Sequence, residues 1–162
     1  MNILALDIAT KTGWSVFEDM RGSVTLLKHG CVDLSKGKTR ALELQRFVKE
    51  KIKKHKIKLV LIEDIYFKRN ISTFKLLCMF QTTVCLTCLN HNIKVLKSPP
   101  SLIRRTISQA NNYKKLDKEA VRLIVNKTFG LRLKVKDYDV SDSIAVMLAY
   151  INNDKLFYPI EK

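Results

Sequence analysis

The chain has 162 residues, of which 46% are hydrophobic and 28% charged, enough apolar material for one compact core and a composition that excludes disordered and fibrous classes. Thirty Lys and Arg against fifteen Asp and Glu give a formal net charge of +15, an excess that repels itself and calls for a polyanionic partner, nucleic acid first. The longest apolar stretches, such as Leu76 to Leu89, are broken by Gln81, Thr82, Thr83 and Thr87 and fall short of a bilayer-spanning helix. No amphipathic helix with a lipid-facing aromatic edge is evident, so no membrane partner is expected. Met1 leads straight into a strand pattern without a basic segment and cleavage site, and the expectation is a cytoplasmic protein.

In chain order, Asn2 to Asp7 is a short apolar run ending in an acid, and Trp14 to Phe17 and Val24 to Val32 continue with β-prone residues around Gly13, Gly22 and Gly30. Three strands joined by turns follow from this. Lys38 to Lys56 carries Ala41, Leu44, Phe47, Val48 and Ile52 at helical spacing with basic residues between them. Lys49 to Lys58 is read as a solvated face. Lys58 to Glu63 is a second apolar run ending in an acid; after a crossover helix it belongs parallel to the first strand. Ser72 to Asn90 is helical in length and apolar on more than one face, either central to the core or half of a subunit interface.

Ile93 to Leu96 reads as the last strand, and Pro99-Pro100 as a loop before a short helix over Ser101 to Ser108. Leu116 to Phe129 is a helix with Asp117 at its start and Gly130 as its stop; Asp139 to Ile151 is another, with Ile144, Met147, Leu148 and Ile151 on one stripe. The domain is expected to span residues 1–155, with 156–162 a tail. Of the four cysteines, Cys78, Cys85 and Cys88 share one helix with apolar neighbours, and all four, Cys31 included, are read as reduced core residues. Cys85 and Cys88 have C-x-x-C spacing, but no second pair stands at zinc-site distance. The element order gives an RNase H-like α/β fold, a mixed five-stranded sheet flanked by helices.

Asp7 ends a buried strand, where ligands bind in open α/β sheets. Asp139 and Asp142, spaced i, i+3, share one helix face, and Glu63 completes a set of four acids that can converge. Taken singly, each has a plain reading: a polar strand end for Asp7, an N-cap or dipole-favoured residue for the other two. Together they would repel and raise one another's pKa values unless cations sit among them. All-oxygen ligands suit Mg²⁺ or Mn²⁺, two of which serve phosphodiester hydrolysis. Asp137 is a possible substitute or outer helper.

The segment Leu4-Ala5-Leu6-Asp7-Ile8-Ala9-Thr10-Lys11-Thr12-Gly13-Trp14-Ser15-Val16 resembles the opening motif of the RuvC family of Holliday junction resolvases. Ile62-Glu63-Asp64-Ile65-Tyr66 is similar to its second motif, and Asp139-Val140-Ser141-Asp142-Ser143-Ile144-Ala145 to its last. The resemblance runs in order from residue 3 to about 150. It implies that Asp7, Glu63, Asp139 and Asp142 are catalytic metal ligands, holding about two Mg²⁺ ions, with Mn²⁺ as a substitute. It also implies a homodimer that makes paired nicks in four-way junctions, with the Ser72 to Asn90 helix as the interface. Ala9 stands where bacterial members carry proline then glycine, and Cys78, Met79 and Phe80 replace their glycine-rich helix. These departures resemble bacteriophage members of lactococcal type.

Tyr66 and Phe67 follow Glu63, and an aromatic there can stack on an unpaired base, as the family's aromatic at the position of Tyr66 does; the plain reading is a core aromatic at a loop start. Lys68 and Arg69 favour DNA. Arg104, Arg105, Lys114, Lys115 and Lys118 are candidate phosphate contacts, and Arg104 and Lys118 match DNA-contacting positions of the family. An actin-like or sugar-kinase ATPase would need a second glycine-rich phosphate loop, and the five glycines are not grouped. Two alternatives remain open: a nonenzymatic branched-DNA-binding protein, and an RNase H-like nuclease acting on RNA:DNA hybrids, forks or flaps.

Overall fold

The computed structural model describes residues 1–20, 22–35, 39–66, 70–113 and 116–160. Strands β1 (Asn2–Asp7), β2 (Lys11–Met20) and β3 (Ser23–Asp33) form an antiparallel meander. Helix α1 (Arg40–His55) crosses over to β4 (Ile57–Glu63), which runs parallel to β1; α2 (Ile71–Leu89) leads to β5 (Lys94–Ser98), parallel to β4. Helices α3 (Pro100–Ala110), α4 (Lys118–Phe129) and α5 (Tyr138–Asn152) follow, with a 3-10 turn over Val135–Asp137 before α5. The sheet order is β3-β2-β1-β4-β5-β6, the last being a short strand over Tyr158–Pro159.

Side-chain alternation along the central strands builds a three-layer sandwich. Ile3, Ala5, Leu59 and Leu61 point into one core with residues of α3, α4 and α5, while Leu4, Leu6, Val60 and Ile62 point into the other with α1 and α2. Both faces are covered, which is why these strands read as unbroken apolar runs rather than alternating ones. The bounds of α4 follow the local chemistry: Asp117 accepts from the backbone N–H of Ala120 at 2.8 Å and caps its start, and Gly130 ends it at φ 64°.

Five expectations change. The sheet has six strands, because the segment expected to be a tail returns as β6 (Tyr158–Pro159) beside β5, anchored by the buried Phe157. Pro100 belongs to α3 rather than a loop, since the first helical position needs no N–H. Lys51 is buried instead of solvated: its Nζ lies 4.2 Å from the Trp14 ring centroid and 4.9 Å from that of Phe47, a cation over two aromatic faces. Cys31 is exposed, on a strand whose side chains are mostly open to solvent, whereas Cys85 and Cys88 are buried as expected. The apolar run of α2 begins at Ile71, so by length and composition this helix is long and apolar enough to cross a membrane. In the fold, its inner side buries Phe80, Val84, Cys85 and Cys88, and its outer side exposes Ile71, Met79, Leu86 and Leu89.

Candidate active site

Strand register places the first two acids. Leu6 pairs with Ile62 across the parallel β1 and β4, so Asp7 and Glu63 stand at adjacent carboxyl ends. By alternation from Ala5 and Leu61, both belong to the face that α5 covers. Asp7 also pairs with Gly13 of β2, where a Cβ would fall 1.7 Å from the carbonyl oxygen of Asp139. Only glycine permits that approach, and it seats the first turn of α5 directly on β2. A second anchor lies one turn on, where the buried Ser143 and Ser15 hydroxyls meet at 3.2 Å. Asp139 and Asp142 are thereby brought over Asp7.

The electrostatics register this convergence. Burial first, and then the charges of Asp142, Glu63 and Asp139 in that order, push the Asp7 carboxyl up to about 8, against the opposing charge of Lys118. Asp142 is also raised, chiefly by burial, with Lys118 and Arg104 acting to lower it. Lys118 Nζ lies 3.6 Å from the Asp142 carboxylate, so it faces the acid cluster itself. Asp137 is otherwise engaged: its carboxylate accepts the backbone N–H of Lys134 at 2.8 Å and closes the turn before α5.

A groove of about 1500 Å³ opens from the acids toward α2, lined among others by Asp7, Glu63, Tyr66, Phe74 and Arg104. Tyr66 is 67% exposed, which sets aside the core-aromatic reading. Arg105 lies elsewhere, in a small cleft with Gln109, Asn152 and Leu156. Phe67, Lys68, Arg69, Lys114 and Lys115 fall outside the described residues.

Sequence reasoning missed Asp64, whose carboxylate accepts from Tyr158 Oη at 2.7 Å, Lys97 Nζ at 3.2 Å and Gln81 Nε2 at 3.3 Å. These bonds hold its charged form, so its carboxyl lies below the usual range despite partial burial. Asp64 follows Glu63 and joins β4, β5, α2 and β6 at the strand end. Its signal in the sequence was only an acid next to an acid.

Among the described residues, no three His, Cys, Asp or Glu side chains are drawn together tightly enough to grip an ion in this conformation. Like charges in a half-buried site hold apart, and Asp142 turns to Lys118. The donor chemistry nevertheless fits a hard divalent cation: four carboxylates, no sulfur or imidazole, and an Asp7 whose charge the protein alone leaves poorly compensated.

A mixed sheet that ends two neighbouring strands in acids, beneath a helix bearing two more, is the frame of an RNase H-like nuclease. A family model described as crossover junction endodeoxyribonuclease RuvC matches residues 3–150. The crossover junction endodeoxyribonuclease RuvC of Campylobacter concisus is 30% identical over 94% of this chain and 98% of its own. Thermus thermophilus RuvC, solved in complex with a Holliday junction substrate, superposes with a TM-score of 0.81 at 17% identity, covering 99% of this chain and 100% of that one. A yeast mitochondrial Holliday junction resolvase superposes with a TM-score of 0.70 at 13% identity, over 93% and 77% of the two chains. The chain belongs to the RuvC family of crossover junction endodeoxyribonucleases.

Proposed function

We propose that this chain resolves four-way DNA junctions as a homodimer, each subunit hydrolysing one phosphodiester at Asp7, Glu63, Asp139 and Asp142. The observation that carries the reading is the convergence on Asp7, whose carboxyl is raised by all three of the other acids. These four side chains would hold Mg²⁺, with Mn²⁺ as a substitute and two ions as the expected number. Bound there, the cations supply Lewis-acid polarisation of the phosphate and a more acidic water.

The chain's own residues do the rest. Lys118 and Arg104 flank the acids with positive charge and are suited to hold the scissile phosphate and its neighbour. Water oxygen attacks phosphorus, the bond to the 3′ oxygen breaks, and a 5′ phosphate and a 3′ hydroxyl result. Tyr66, exposed at the mouth of the groove, is placed to stack on a base left unpaired at the junction centre.

Paired cuts on a two-fold substrate ask for a two-fold enzyme. The outer side of α2 supports a second copy as the partner: Ile71, Met79, Leu86 and Leu89 form an exposed apolar stripe on a helix whose inner side is already packed. Incubation with a mobile four-way junction, a fork, a duplex and an RNA:DNA hybrid, each with Mg²⁺, Mn²⁺ or EDTA, tests the reading. Symmetric, cation-dependent nicks in the junction are expected; cutting chiefly of the hybrid, or equal cutting in EDTA, overturns it.

A further inference from the structure

Ser98 ends β5 and is fully buried, yet its hydroxyl has no hydrogen-bond partner among the described residues. It is the one buried side-chain oxygen or nitrogen there of which this is true. Such groups are rare in native proteins, and each calls for a reason. Among the described residues, nothing favours a serine over an alanine at this point, because the hydroxyl loses its water and gains no partner there in return.

Its position supplies the reason. Ser98 pairs in register with Glu63 across the parallel β4 and β5. Alternation from Leu96, which points into the core under α3 and α5, places Ser98 on the same face as Glu63. Side chains paired in this way on adjacent strands stand roughly 5 Å apart at their bases, close enough for a serine hydroxyl to reach a carboxylate by rotation about one bond. The backbone fixes the approach from the other side, since the Ser98 carbonyl accepts the Asp64 N–H at 2.9 Å.

We propose that Ser98 is a positioning residue whose hydroxyl donates to the Glu63 carboxylate when that carboxylate turns to hold a divalent cation. The inference rests on the nuclease reading above. The serine donor holds one carboxylate oxygen and so presents the other to the cation, the part that groups behind a ligand commonly play. Ser98 itself touches neither substrate nor cation. The same buried serine therefore costs the free protein a hydrogen bond and serves only the loaded site.

This has a signature that an ordinary structural serine lacks. In Ser98→Ala, thermal unfolding of the full chain in EDTA should occur at the wild-type temperature or slightly above it, because an unsatisfied hydroxyl is removed. Mn²⁺ binding by calorimetry should weaken by about 10-fold, with a comparable fall in junction-cleavage rate at fixed Mn²⁺ and unchanged junction binding in EDTA. Ser98→Thr, which keeps the hydroxyl, should recover most of the Mn²⁺ affinity; if its added methyl group lowers the unfolding temperature, Ser98→Ala alone decides. Unchanged Mn²⁺ affinity in Ser98→Ala overturns the inference, and so does a drop of several degrees in its unfolding temperature. Wild-type protein that neither binds Mn²⁺ nor cuts junctions overturns the nuclease reading itself, an outcome separate from failure of the serine alone.

Discussion

At Asp7 the requirements of folding and of function oppose each other. Its folded carboxyl titrates at about 8, against about 4 in an unfolded chain. Between those values the folded state holds the extra proton, so without divalent cation this group makes stability fall as pH rises from about 4 to about 8. Asp7→Asn removes the charge and with it this pH dependence. At pH 8 in EDTA the variant should unfold at least about 5 °C higher than wild type, because linkage over that pH range amounts to several kcal/mol and each kcal/mol is roughly 2 to 4 °C in a chain of this size, and the two should converge near pH 4. Cleavage should be abolished and junction binding retained; a lower unfolding temperature at pH 8 or residual cutting would remove Asp7 from the site. Gly13→Ala acts on the same cluster through sterics. A methyl 1.7 Å from the Asp139 carbonyl must push α5 off β2, so we expect loss of cleavage with a stability loss of about 2 kcal/mol or more, read by urea unfolding.

Among the elements, β6 is the least obvious contributor. Two residues long and containing Pro159, it has no alternation to announce it, yet Tyr158 reaches Asp64 beside the acids. Tyr158→Phe should cost about 1 kcal/mol, modest because Asp64 is only partly shielded from water, or roughly 3 °C of unfolding temperature; an unchanged temperature would show the contact to be idle. The contrast explains what sequence could and could not give. Asp7 and Glu63 were legible because apolar runs ending in acids have few other meanings, and Asp139 and Asp142 because i, i+3 spacing fixes a shared helix face. Ser98, Asp64 and the buried Lys51 depend on register or on partners from distant elements. No local pattern of residues encodes which strand lies alongside.

For the whole molecule, the charge of +15 and the outer stripe of α2 answer different needs. Positive charge draws any nucleic acid and weakens with salt, but it cannot by itself coordinate two cuts. The dimer would do that, and Leu86, 54% exposed near the middle of the stripe's C-terminal half, is the place to test it. Leu86→Glu puts a carboxylate where two copies would meet, and two like charges in an apolar interface are strongly disfavoured. Because the side chain points away from both cores, the unfolding temperature of the isolated chain should hardly move. Sedimentation velocity should shift the species from dimer to monomer at micromolar concentration. On a cruciform plasmid, where one nick relaxes the substrate and only closely paired nicks linearise it, linear product should give way to nicked circles. A dimer that persists with Leu86→Glu and still linearises the plasmid would move the interface off α2.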